Sequence, residues 1–279
     1  MKVHSREAER CNITPEVINS FFDKLTELLT QVKEFSLIIN MDESGFSSRP
    51  LKNSTQNCCF VSNCTIPPTF KEEHDSSHIS IVGAVSTDGK PLKPMLLSVN
   101  KTPPNNIKGT WLEDQFEWFQ TPKGYMNHLA MISWIKTVLI PYVTLERIEH
   151  NAEDQPALLI MDGLKSHLMS EILDLLNENK IIILCLPPHS SHILQVLDLA
   201  IFSPMKNFYR NSKSQLFQGQ ERKMAKKVEK IIKAFYYATY KGNILSGWQE
   251  SGLPLEFQNG KIVDASVNRA KVLSKLNIQ

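Results

Sequence analysis

Ala157-Leu158-Leu159-Ile160-Met161-Asp162-Gly163 opens the stretch that decides the fold, and Ile181-Ile182-Ile183-Leu184-Cys185-Leu186-Pro187-Pro188 answers it. Each is an unbroken apolar run ended by turn residues, the pattern of a strand buried on both faces. Between them Leu168, Ile172, Leu175 and Leu176 recur on one side of a helix. Strand, helix and strand in about thirty residues form a βαβ unit, whose crossover is right-handed. Ligands of such sheets gather beyond the carboxyl ends of the strands, which is where Asp162 falls.

The same grammar occurs earlier. Ser36-Leu37-Ile38-Ile39-Asn40-Met41 runs into Asp42-Glu43-Ser44-Gly45. If these strands are neighbours, two carboxylates face one crevice, and Asp198 can join them from the loop that follows the second run. Three converging carboxylates suit hard divalent cations such as Mg²⁺, which take oxygen ligands. Two such ions ~3.5–4 Å apart clamp the attacking and leaving oxygens of a phosphodiester. An aspartate after a strand is also an ordinary turn opener, and Asp-Gly is a turn dipeptide. Spacing alone leaves both readings open.

Three motifs carry a resemblance. Asn40-Met41-Asp42-Glu43-Ser44-Gly45-Phe46, Leu159 to Gly163 with Ser166-His167, and Leu186-Pro187-Pro188-His189-Ser190-Ser191-His192-Ile193-Leu194-Gln195-Val196-Leu197-Asp198 stand in order. Together they resemble the DDE-superfamily endonuclease domain, and within it the pogo, Tigger and jerky-like transposases, to which centromere protein B is related. Gly83 to Gly89 and Pro94-Met95 look like that family's second and third strands, so the likeness runs over about residues 35–210.

The resemblance implies an RNase H-like α/β fold and metal-dependent cutting and joining of DNA in the nucleus. The family's acids fall on Asp42, Asp162 and Asp198, as catalytic residues holding two Mg²⁺ (or Mn²⁺) ions. Asp162 and Asp198 lie 36 positions apart, in keeping with the family. Two departures are plain: Ser44 stands where Thr is usual, and Val196 where Pro is usual. Proline would have fixed φ there, so the valine is expected to loosen the turn that presents Asp198. Family members also carry helix-turn-helix domains upstream. No such pair of helices fits before Asn40, so that domain is expected to be absent from this chain. A catalytically idle domesticated or truncated transposon remnant, acting as a nucleic-acid-binding or interaction protein, is therefore the alternative; DNA is the expected partner, and a homo-oligomer is the expected assembly.

The expected sheet has five strands, mixed in direction, over residues 36–42, 78–86, 92–99, 157–161 and 181–186. Their spatial order is 3-2-1-4-5, with helices on both faces. Residues 1–34 read as an N-terminal helix (about 15–33, after the Thr14-Pro15 cap) and linker, 35–242 as the endonuclease domain, and 243–279 as a weakly ordered tail. Asp88-Gly89 between β-rich runs marks a hairpin. The aromatics from Trp111 to Tyr125 read as anchors of an insertion, and the helix over 127–143 as broken near Pro141. His189 and His192 read as holding the loop before Asp198, while His167 lies one helical turn past Asp162.

The 279 residues carry a net charge of +2, with 42% hydrophobic and 22% charged residues, ordinary for a globular chain. No apolar stretch is read as approaching the ~20 residues of a membrane span, and the N-terminus shows no signal-peptide pattern. Five cysteines suit a reducing compartment. Cys58, Cys59 and Cys64 lack the paired spacing of a zinc site.

Charge is uneven. Met205 to Lys241 holds ten Lys or Arg against two Glu, a net +8, which leaves −6 for the rest. Such a stripe is either a solvated helix face or a track for phosphates. Beside the third acid motif it reads as the DNA-binding surface, through Lys206, Arg210, Lys213, Arg222 and Lys226.

Overall fold

Residues 13–46, 78–163, 170–217, 223–253, 257–258, 261–262 and 265–276 are described in the computed structural model. Helix α1 spans Pro15–Leu29, with Pro at its first turn and Thr14 as an extended N-cap. Its Ile18, Phe21, Phe22 and Leu25 are buried on one face. The helix stops short of residue 33, where Thr30 donates its backbone N–H to Glu27 and Leu28.

Six strands follow: β1 Ile38–Phe46, β2 Ile79–Ser86, β3 Met95–Ser98, β4 Glu117–Gln120, β5 Ala157–Asp162 and β6 Ile181–Leu186. They form one sheet in the order β4-β3-β2-β1-β5-β6. β1 pairs antiparallel with β2 and parallel with β5, and β6 continues the parallel side. All eight positions of β2 are buried, so both faces of the sheet are covered there. The mixed sheet and its central order agree with the sequence reading. The strand count does not: β4 adds a sixth strand, parallel to β3, on the edge.

β4 escapes a pattern search because Glu117-Trp118-Phe119-Gln120 is short and neither alternates nor buries fully. The reading of its aromatics as anchors holds for part of the segment. Phe116 is buried, and Trp118 and Phe119 pack against the core. Trp111 and Tyr125 are exposed.

Helix α2, His128–Glu149, is continuous across Pro141. A π-helical stretch at Ile135–Leu139 lies just before it, and the proline enters the next α-helical turn where no intrahelical donor is needed. By length and composition α2 is apolar enough to cross a membrane, contrary to the sequence reading. Here Ala130, Met131, Trp134, Ile135, Val138, Leu139 and Val143 are buried in the protein core instead.

Helix α3, Ser170–Glu178, connects β5 to β6 and completes the βαβ unit. After β6 come two short helices, α4 Ser191–Leu194 and α5 Val196–Ala200, then α6 Phe202–Asn211 and α7 Lys223–Ala238. Pro204 sits inside the first turn of α6 and does not break it.

Among the described residues from Lys241 on, two further helices form where weak order was expected. Helix α8, Lys241–Ser251, includes Gly242 in its first turn and ends at Gly252, in the left-handed region at φ 65°. Trp248 is fully buried and donates its indole N–H to the Ser86 carbonyl over 3.0 Å. The last helix, α9, covers Ala265–Leu276 and packs against α1.

Candidate active site

Asp42 and Asp162 are placed by strand register. Met41 pairs with Met161 across the parallel β1/β5 ladder, so the two aspartates are the next residues on adjacent strands. Side chains alternate between faces along a strand, and residues in register share a face. Glu43, one residue on, therefore points to the opposite face, where its Oε2 accepts the Met126 backbone N–H at 3.1 Å. Register sets Asp42 and Asp162 on the same face, and the Glu43 carboxylate faces away from them.

Asp198 arrives from above. The partner of Asp42 on β2 is Gly83. A Cβ at Gly83 would lie 3.2 Å from the Phe235 ring and 3.7 Å from Leu197. The bare backbone thus lets α5 settle on the face that bears Asp42, and Asp198 follows Leu197 on α5. Asp198 itself is exposed at the rim, while Asp42 and Asp162 are half-buried.

The electrostatics agree. Burial, then the Asp198 charge, and more weakly Asp162, push the Asp42 carboxyl well above the usual carboxylate range. Hydrogen bonding to the Glu43 N–H and to Gln195 opposes the rise without cancelling it. The protein packed around Asp198 also desolvates and raises its carboxyl, although its side chain reaches the surface; the Lys206 ammonium opposes the rise and Asp162 adds to it more weakly. The three aspartates sense one another's charge, and carboxylate oxygens are the donor chemistry a hard divalent cation takes. Among the described residues, the acidic group whose ligand atoms all lie within 4.8 Å of one another is a different one, Glu146, Glu149 and His150.

Each acid is held. The backbone N–H of Glu43 donates to Asp42 Oδ1 at 2.8 Å, and Ser191 Oγ donates to Asp162 Oδ2 at 3.2 Å. Beneath them lie two fully buried amides that sequence reasoning missed, Asn40 and Gln195. Asn40 Nδ2 donates to Gln195 Oε1 at 2.7 Å and to the Ile160 carbonyl at 3.1 Å. Gln195 Nε2 donates to the Met41 carbonyl at 2.9 Å. The only signal in the sequence was their place inside the first and third motifs.

Val196, expected to loosen the turn, is fully buried and begins α5. His189 is exposed with φ 63°, so it shapes the turn after Pro188. His192 is half-buried. Ser166 and His167 lie outside the described residues, as do the cysteines at 58, 59 and 64.

Of the basic residues, Lys206 is close enough for its charge to act on Asp198, with its ammonium 6.0 Å from the centre of the Phe202 ring. Arg210 lies one turn further along α6, exposed, and donates to Asn207 Oδ1 at 3.1 Å. Lys213 is exposed in the loop that follows, Lys226 is half-buried on α7, and Arg222 lies outside the described residues. Lys230 also belongs to this surface, 4.5 Å over the Tyr209 ring, which packs edge-on against Phe46 at the end of β1. Glu229 holds the loop between α6 and α7. It accepts from Ser214 Oγ and the backbone N–H groups of Gln215 and Leu216, and pairs with Lys233.

Comparison with known proteins gives the family and the fold. The family model for the DDE superfamily endonuclease matches residues 76–247, more than half of the chain, so Asp162 and Asp198 fall within the match and Asp42 before it. A structure of the Mos1 transposase catalytic domain with raltegravir and Mn superposes with a TM-score of 0.53 at 12% identity, covering 99% of this chain and 97% of that one. The catalytic domain of Mos1 mariner transposase gives 0.52 at 12% identity, covering 95% and 96%. Both likenesses concern the fold, which is RNase H-like. Among curated proteins, the MFS-type transporter clz9 of Cochliobolus lunatus is 23% identical over 246 residues. The match takes in 87% of this chain but only 24% of that protein, so the chain spans about a quarter of its length.

Proposed function

Because this chain belongs to the DDE superfamily endonuclease family, we propose that it cleaves and transfers DNA strands in a metal-dependent reaction at Asp42, Asp162 and Asp198. The observation that supports the reading is the register of β1 and β5, in which Asp42 and Asp162 directly follow the paired Met41 and Met161, together with the packing of Leu197, the neighbour of Asp198, against Gly83, the β2 partner of Asp42.

The three carboxylates would hold two Mg²⁺ or Mn²⁺ ions. Bound there, such ions supply Lewis-acid polarisation of a phosphoryl oxygen and an oxygen nucleophile active at neutral pH. Support for the choice of metal comes from the Mos1 catalytic domain, whose structures include forms with Mn and with Mg. The chain's own residues do the positioning. Ser191 fixes the rotamer of Asp162, the Glu43 N–H orients Asp42, and Lys206 keeps a positive charge at the Asp198 side of the cleft.

DNA is the partner this surface fits. Lys206, Arg210, Lys213 and Lys226, with Arg222 in the same basic run, would follow a phosphate backbone away from the acids. Such contacts give affinity and strong salt dependence with little sequence preference. A DNA substrate would place the protein in the nucleus, and assembly of copies on paired DNA ends would fit the Mos1 paired-end complex with Mn. The test is nicking of supercoiled plasmid with Mg²⁺ or Mn²⁺ by wild type and by Asp42→Ala, Asp162→Ala and Asp198→Ala. Loss of nicking in all three supports the proposal. Full activity in any one of them overturns that residue's role, and no nicking by wild type on any DNA favours the idle alternative.

A further inference from the structure

The buried pair Asn40–Gln195 connects three separate segments. Asn40 lies on β1, two residues before Asp42, and its amide reaches the carbonyl of Ile160 on β5, two residues before Asp162. Gln195 lies three residues before Asp198 and donates to the carbonyl of Met41, the residue next to Asp42. The two amides are joined to each other over 2.7 Å. Each acid is therefore within three residues of a group held in one network, although the partners stand 155 positions apart in sequence.

The pair is not an efficient way to stabilise a core. Asn40 Oδ1 is buried with no hydrogen-bond partner. An orphaned buried acceptor costs ~1–3 kcal/mol, and apolar side chains of the same shape in place of both amides would avoid it. Backbone ladders already join β1 to β5 without any side chain. The loop before α5 has no such ladder, since Gln195 is its extended N-cap residue. What the amides add is a fixed distance between that loop and the ends of both strands.

We propose that Asn40 and Gln195 are positioning residues that set the spacing of Asp42, Asp162 and Asp198 for divalent-cation binding. The inference rests on the metal-site reading above. Groups that orient metal ligands from behind are worth roughly 10–100-fold in metal affinity.

The experiment is a calorimetric Mn²⁺ titration of the full chain, with thermal unfolding measured on the same samples. Wild type is compared with Gln195→Met, which keeps volume and removes the amide, and with the double variant Asn40→Leu/Gln195→Met, which leaves neither amide unpaired. The expected result is a double variant that unfolds within a few degrees of wild type but binds Mn²⁺ roughly 10–100-fold more weakly. If Gln195→Met does not fold, the double variant decides. Mn²⁺ affinity within twofold of wild type in a folded variant overturns the inference and leaves the metal site standing. An unfolded double variant also overturns it, because the pair is then structural. Wild type that binds no Mn²⁺ overturns both readings.

Discussion

Gly247 on α8 packs directly on Val196 at the start of α5: a Cβ at Gly247 would fall 2.9 Å from the Val196 carbonyl oxygen and 3.0 Å from the Ala200 Cβ. That contact takes over the restraint a proline would have given at 196. The turn that presents Asp198 is clamped from outside by a glycine-bearing helix rather than from within by a ring.

Gly247→Ala is expected to force α8 and α5 apart, because the obstructing atom is backbone and cannot rotate away. Overpacking of this kind costs about 1–3 kcal/mol. The thermal midpoint should fall, and metal-dependent nicking should fall with it as Asp198 is displaced. A folded variant with wild-type nicking would show that α5 does not need this clamp.

Asp42→Asn should behave oppositely for stability and for activity. The folded carboxyl is raised by burial first, then by Asp198 and Asp162, so the native state binds its proton more tightly than the unfolded chain does. Stability of the metal-free protein therefore falls as pH rises from the ordinary carboxylate pKa through the raised folded one, and stays low above it. The amide carries no charge, so metal-free Asp42→Asn should melt higher than wild type at neutral pH. The difference should vanish in acid, while nicking is lost at every pH. Differential scanning calorimetry across pH with chelator present reads the first effect, and an unchanged difference across pH would contradict the electrostatic account.

Trp248→Ala should destabilise the protein by about 4 kcal/mol, the range for a buried large aromatic. Its indole fills the core and caps the Ser86 carbonyl from a segment where weak order was expected. Urea denaturation measures it. A cost below about 1 kcal/mol would restore the boundary near 242.

Lys226→Ala should weaken DNA binding about equally on unrelated sequences and reduce the slope of log affinity against log salt by about one unit. Fluorescence anisotropy at several salt concentrations distinguishes this from a solvated helix face, for which the slope stays unchanged.

What the sequence made legible follows from the length of the signal. β1, β5 and β6 are long apolar runs bounded by turn residues, so the central sheet and the two strand-end aspartates could be read directly. Asp198 carried no such mark, since a helix start has no period of its own; its place after the second run allowed it to join the others, and the resemblance singled it out. Asn40 and Gln195 were invisible as a pair because burial and pairing over 155 positions leave no local trace. β4 and α8 were missed for opposite reasons. The first is too short to alternate, and the second sets Ile244 and Trp248 among Gly242, Gly247 and Gly252, which read as breakers. Pro141 misled because a π-helical stretch just before it absorbs what would otherwise be a break.

The central claim is geometric, and diffraction from crystals soaked in Mn²⁺ tests it most directly. Anomalous density should appear within about 2.1 Å of carboxylate oxygens from Asp42, Asp162 and Asp198. Density confined to other acidic groups, such as Glu146, Glu149 and His150 at the end of α2, with the three aspartates bare, would contradict the account.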